Sequence, residues 1–175
     1  MTKAVFLDRD GVVNKYERPI NQPEDLELFP WTAEAIKKLN QTSYEVYIVT
    51  NQGGIECGYF TEDDLQAIHD QLEKTLLQNN AWIDDIEYCP HFSTSCDCRK
   101  PNPGMLYKLA DKYELNLQQS YLIGDRNSDI IAGNQAGCTT IKLGANYSAA
   151  DYTTENLADA IELIFKLEQV PLTYL

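Results

Sequence analysis

KAVFLDRDGVVN, Lys3 to Asn14, is a short strand that ends in acid. Its first half is a compact apolar run of the kind that forms a strand buried in a sheet. Its second half sets Asp8 and Asp10 two residues apart, just where that strand ends, with Gly11 next. A lone D-x-D-G is ordinary turn chemistry. Two carboxylates converging at the end of a buried strand repel each other, which calls for a divalent cation or a shared proton. Hard oxygen donors suit magnesium. One carboxylate could then attack an electrophile while the other protonates the leaving oxygen.

Outward from this stretch, apolar β-rich runs alternate with amphipathic ones. Strands are expected at Lys3–Asp8, Tyr44–Asn51, Asp85–Cys89, Gln119–Asp125 and Thr139–Gly144. Helices are expected at Trp31–Leu39, Thr61–Leu77, Gly104–Tyr113, Ser128–Ala136 and Glu155–Leu167. In TEDDL, Thr61 can cap the second helix while Asp64 reaches back to it. Five strands alternating with helices make an α/β chain with a largely parallel sheet and right-handed crossovers. The chain of 175 residues suits a single domain, 1–175. Asn14 to Pro30 is a long irregular connection with three prolines, and such loops are more often functional than idle. The tail EQVPLTYL could pack or fray.

Ligands in such sheets bind outside the carboxyl ends of the strands. The polar residues of this chain cluster there. IVTNQGG offers Thr50, Asn51 and glycine-rich backbone donors. RKPNPG places Arg99 and Lys100 just ahead of a helix, whose N-terminus also favours anions. IGDRNSDI adds Asp125 and, a turn later, Asp129, which either serves the cation site or complements the helix dipole. Between the third strand and Arg99 lies Cys89-x-His91-x4-Cys96-x-Cys98. Four soft or borderline ligands in ten residues suit a closed, structural tetrahedral zinc. A redox motif would read C-x-x-C, which is absent from this loop. Cys57 and Cys138 read as packing residues, and His69 as an ordinary helix-surface residue.

The formal charge is −13, from 27 acids against 14 bases, with no basic block. Nucleic acid and anionic membranes are therefore disfavoured partners. A small anionic substrate remains compatible, because one cleft needs only local positive charge. No apolar run approaches the ~18 residues of a membrane span. Ala4 to Leu7 is too short for a signal peptide, so the cytoplasm is the expected location. A monomer is expected.

Together, DRDGV, Thr50, Lys100 and GDRNSD resemble the four motifs of the haloacid dehalogenase (HAD) superfamily of aspartate-nucleophile phosphatases. FLDRDGVVN, VTNQGGI, GYFTEDDL, YCPH, CDCRKPNPGML and GDRNSDI are similar to its zinc-containing, small-cap branch, subfamily IIIA. That branch holds heptose bisphosphate phosphatases and histidinol-phosphatases. The resemblance runs from Lys3 to about Gly144. It implies a Rossmann-like HAD fold with helices on both sheet faces, a minimal cap and a zinc loop. It also implies a magnesium-dependent phosphomonoesterase of a small sugar phosphate. A heptose 1,7-bisphosphate comes first, and histidinol phosphate or another small ester second. Asp8 would be the nucleophile and Asp10 the acid and base, with Thr50 and Lys100 holding the phosphoryl oxygens. Asp8, the backbone carbonyl of Asp10, and Asp125 would bind magnesium. Asn51, Gln52, Gly53, Arg99 and Arg126 would contact substrate, with Tyr16, Glu17, Arg18 and Pro19 in the substrate-facing loop. Where much of the branch reads GIARG, this chain reads GIECG, with Glu56 and Cys57. A phospho-acceptor signalling domain shares Asp, Thr and Lys at strand ends, but it lacks an acid at the position of Asp10 and has no zinc loop.

Overall fold

The computed structural model describes residues 1–170, so 171–175 of the tail lie outside the described residues. Six strands form one sheet: β1 Lys3–Leu7, β2 Tyr44–Asn51, β3 Asp85–Cys89, β4 Tyr121–Gly124, β5 Thr139–Leu143 and β6 Tyr152–Thr154. Their order is β3-β2-β1-β4-β5-β6, and every pairing is parallel. The helices are α1 Thr32–Asn40, α2 Glu62–Gln78, α3 Gly104–Tyr113, α4 Asn127–Ala136 and α5 Leu157–Leu167.

Strand alternation builds the two cores. Val5 and Leu7 of β1 face one cluster, with Ile36 and Leu39 of α1, Leu72 and Leu76 of α2, and Ile161 and Ile164 of α5. Ala4 and Phe6 face the other, with Met105 and Leu109 of α3 and Ala132 of α4. β1 is thus covered on both faces, which is why it reads as an unbroken apolar run. After β3 the chain returns to lay β4 against the other side of β1. A crevice at the carboxyl ends follows from that reversal, and β1, β2 and β4 all deliver their last residues to it.

The expected elements are present; β2, β3 and α3 have the expected ends, and the ends of the others shift. Thr61 caps α2, accepting from Asp64 N at 3.1 Å while Asp64 Oδ2 accepts from Thr61 N at 2.8 Å. α5 begins at Leu157 rather than Glu155, because the Asn156 side chain caps it by accepting from Asp159 N. The sixth strand, β6, is a correction to the expected five. It has three residues, two of them exposed, so no buried apolar pattern announces it.

Candidate active site

Lys100 joins the strand ends. It is buried, and its Nζ donates to Asp8 Oδ1 at 2.8 Å and to the Val49 carbonyl at 2.7 Å, and pairs with Asp129 Oδ1 at 2.6 Å. Three acceptors match the three ammonium protons. Burial alone would pull this ammonium down, but the Asp129 and Asp8 carboxylates hold its pKa above the ordinary lysine value. The other oxygen of Asp129 accepts from Arg126 N at 3.0 Å, at the start of α4. Asp129 therefore both pairs with Lys100 and closes the first turn of its own helix.

Asp8, Asp125 and Asp129 bring carboxylate oxygens within 4.8 Å of one another. Burial pushes the Asp8 carboxyl up to about 8, against the pull of Lys100 and with help from Asp129 and Asp10. Asp125 is raised as well, by burial and by the Asp129 charge. Its Oδ1 is buried without a hydrogen-bond partner. An orphaned carboxylate oxygen beside two further carboxylates fits a hard divalent cation. Gly11 packs its bare backbone against Asp125. Its φ is +90°, and a Cβ there would lie 2.2 Å from Asp125 Oδ2. Only glycine meets both conditions.

Asp10 accepts from four donors. Arg9 Nε and NH2 form a fork at 2.9 and 3.2 Å, Asn14 Nδ2 reaches Oδ1 at 3.0 Å and Gln52 Nε2 reaches Oδ2 at 3.2 Å. Gln52 also donates to Thr50 Oγ1 at 2.8 Å, so it braces the site from inside. Asn51 clips the Lys100 backbone, donating to its carbonyl and accepting from its N–H, both at 3.0 Å. Asp8, Asp10, Thr50, Lys100, Arg126 and Tyr16 line a cavity of about 50 Å³. A roomier cleft of about 240 Å³ shares Asp10, Tyr16, Asn51 and Arg126 with it and adds Gly53, Cys57, Tyr59, Phe60, Phe92 and Arg99. A Cβ at Gly53 would lie 2.9 Å from the His91 carbonyl oxygen and 3.0 Å from both Phe92 Cα and Arg99 NH1, so the metal loop packs against a bare backbone there.

Cys89, His91, Cys96 and Cys98 converge as the spacing implied. Tetrahedral zinc with bonds of about 2.0–2.3 Å puts its ligand atoms roughly 3.5–3.8 Å apart. Sγ atoms of Cys89 and Cys96 are 3.6 Å apart, those of Cys96 and Cys98 3.4 Å, and His91 Nδ1 lies 3.5 and 3.3 Å from Cys89 and Cys98. Cys89 and Cys98 are tighter, at 2.7 Å. Arg99 follows directly, and its guanidinium donates to the His91 carbonyl at 2.7 Å and lies over the Phe92 ring. Glu56 accepts from the Phe92 N–H, which holds its carboxyl below the usual range and ties the loop after β2 to the metal loop.

Three expectations are corrected. Cys57 is exposed and lines the larger cleft rather than packing, whereas Cys138 is buried as expected. In the long loop, Tyr16 and Pro19 face the cleft, but Glu17 and Arg18 line a separate depression with Asp25. His69 is buried on the inner face of α2, not on its surface. Leu65, Ile68, His69, Leu72 and Leu76 step by three and four, so the helical period already carried this signal. Arg9, wholly buried beside it, was missed because an arginine after a strand reads as a solvent residue.

Burial, then the Arg9 charge, pulls His69 down to about 3. The unfolded chain therefore binds this proton from about pH 6.5 downward, while the fold resists it. Stability from a neutral His69 is complete above that pH and is lost as pH falls towards 3. Urea midpoints should drop between pH 7 and 4 by an amount worth up to roughly 3 kcal/mol. His69→Gln should remove that part of the drop. An unchanged drop in the variant would exclude His69 as its source.

A parallel sheet whose central strand ends in Asp8-x-Asp10, with Thr50, Lys100 and an acidic pair at the neighbouring strand ends, defines a HAD-type hydrolase. The HAD-hydrolase-like family model matches residues 97–160. The D-glycero-alpha-D-manno-heptose-1,7-bisphosphate 7-phosphatase of Photorhabdus laumondii is 40% identical over 153 residues, covering 81% of this chain and 84% of its own. The corresponding beta-anomer enzyme of Rhodopseudomonas palustris is 40% identical over 142 residues, covering 77% and 79%. The crystal structure of D,D-heptose 1,7-bisphosphate phosphatase from B. bronchiseptica, complexed with magnesium and phosphate, superimposes with a TM-score of 0.86. It is 32% identical and covers 94% of this chain and 99% of that one. The chain belongs to the heptose bisphosphate phosphatase family of HAD-like hydrolases, and is a phosphoric monoester hydrolase.

Proposed function

We propose that this enzyme removes the 7-phosphate of D-glycero-D-manno-heptose 1,7-bisphosphate through an aspartyl-phosphate on Asp8. The observation that carries the reading is the buried Lys100 bridge between Asp8 and Asp129, in a cavity that Asp10 also lines. Asp8 attacks phosphorus as the ester bond breaks, and Asp10 gives its proton to the departing alkoxide. Asp10 then takes a proton from the water that attacks the aspartyl-phosphate, which frees phosphate and restores Asp8. Thr50 and Lys100 hold the equatorial oxygens, where charge builds in phosphoryl transfer. Asp8, Asp125 and the Asp10 carbonyl would hold magnesium, which when bound screens the anionic nucleophile from the anionic phosphate. Gly53, Arg99 and Arg126 line the larger cleft, where the rest of the sugar would lie; Asn51 and Gln52 brace the floor. Asp8, Asp10, Thr50, Lys100 and Asp125 all gather at one sheet, so the chemistry calls for no second copy. The reading takes 1–175 as one unit, a cytoplasmic monomer.

Histidinol phosphate is the second reading, favoured by Cys57 in the cleft where much of the branch carries arginine, and by the four residues between His91 and Cys96. A turnover panel with magnesium present decides: both anomers of the heptose bisphosphate, histidinol phosphate and assorted sugar phosphates. Fastest release from a heptose bisphosphate is expected. Faster histidinol phosphate turnover would overturn the preference.

The Cys89, His91, Cys96 and Cys98 cluster would hold a structural zinc, since four protein ligands leave no open position. Protein purified without chelator should contain about one zinc per chain. Because Cys98 immediately precedes Arg99 and Lys100, Cys98→Ser should lose the metal and raise KM about tenfold or more. Full activity in a zinc-free Cys98→Ser protein would contradict this coupling.

A further inference from the structure

We propose that His69, acting through Arg9, is a positioning residue for Asp10, so that helix α2 sets the direction of the acid/base carboxyl. Arg9 is wholly buried, and a buried guanidinium is costly unless its N–H groups are paired. Two of its nitrogens form the fork to Asp10. The third, NH1, has His69 Nε2 at 3.2 Å. Arginine only donates, so Nε2 accepts and the ring proton sits on Nδ1. Such a ring is neutral, in keeping with its burial beside a cation. The ring is itself placed edge-on against Tyr88 of β3, with centroids 6.3 Å apart.

Geometry explains why the third nitrogen matters. A guanidinium held only by its fork to Asp10 can swing with that carboxylate as one body. A fixed acceptor on NH1, borne by a helix packed on the core, removes that freedom. The carboxylate is then presented at one angle to the cavity, braced on its other sides by Asn14 and Gln52.

The proposal rests on Asp10 being the proton donor to the leaving oxygen, and its test separates the two. When the phosphorus–oxygen ester bond breaks and the Asp8–phosphorus bond forms, the Asp10 proton goes to the alkoxide. A sugar alkoxide needs that proton; p-nitrophenolate, a far weaker base, hardly does. The measurement is kcat/KM, which reports the ester-cleaving step, for the best sugar phosphate of the panel and for p-nitrophenyl phosphate. Asp10→Asn should lower the sugar phosphate value by far more than the aryl value; equal losses would overturn the acid role itself. Arg9→Lys and His69→Leu should show the same asymmetry in milder form. A loss of about 10- to 100-fold is expected for the sugar phosphate and less than about threefold for the aryl ester. His69→Gln, whose side-chain carbonyl can accept from Arg9, should regain most of it. With the Asp10→Asn asymmetry in place, equal losses for both esters in Arg9→Lys, or none, would overturn the positioning role. Should His69→Leu fail to fold, Arg9→Lys and His69→Gln still decide.

Discussion

Asp8→Asn should lose phosphate release by about 10⁴-fold or more, because the amide cannot carry the phosphoryl group. The fold should survive. The asparagine can still accept the Lys100 hydrogen bond, and it removes a carboxyl that burial and two acidic neighbours push up to about 8. The sign of the stability change follows. Asp8 binds its proton more tightly in the ion-free folded state than in the unfolded chain, so the stability it contributes is present below about pH 4 and lost as pH rises towards 8. Without magnesium, the variant should therefore melt above the parent at pH 8 and close to it at pH 4. Added magnesium should raise the melting temperature of the parent more than that of the variant. Phosphate release persisting in Asp8→Asn, or a variant that melts below the parent at pH 8, would count against the assignment.

Lys100→Met should damage both rate and fold. Lys100 is only 4% exposed, and its ammonium serves Asp8, Asp129 and the Val49 carbonyl. The methionine fills the space but leaves two buried carboxylates facing each other. Breaking a buried ion pair from one side costs about 3–5 kcal/mol. Losing one preorganised charge on the phosphoryl oxygens costs about 10²–10³ in kcat. Magnesium is an alternative counter-charge, so it should restore part of the melting temperature and little of the rate. Urea unfolding and steady-state kinetics, each with and without the ion, separate the two. A stable variant with near-parental kcat would show that Lys100 serves neither purpose.

The sheet was readable because β1, β2 and β4 are covered on both faces and keep largely apolar runs. β6 was not, since a three-residue edge strand with exposed residues has no pattern to keep. Within the site, the residues at strand ends were visible because their types and their place on the chain coincide. Asp8, Thr50 and Asp125 each follow or close a run of buried residues. Their supports were hidden for different reasons. Arg9 lies between two aspartates and takes its meaning from a partner 60 positions away on α2. Lys142 of β5, buried with its ammonium on the Asp125 carbonyl at 2.6 Å, looks in sequence like the solvent side of a strand. Asn51, expected at the substrate, lines both cavities and also clips the Lys100 backbone, a contact the sequence does not announce. Local pattern reveals where a side chain sits on its element; it does not reveal which distant group has taken its hydrogen bonds.

The covalent step can be caught directly. Enzyme saturated with its best substrate and magnesium is quenched in acid within milliseconds, reduced with borohydride, digested and read by peptide mass spectrometry. An aspartyl-phosphate on Asp8 is reduced to homoserine at that one position, within the peptide that carries FLDRDGVVN. Homoserine at position 8, absent when substrate is omitted, is the expected result. Reduction at another carboxylate, or an unmodified Asp8 in samples that have already released phosphate at a steady rate, would contradict it.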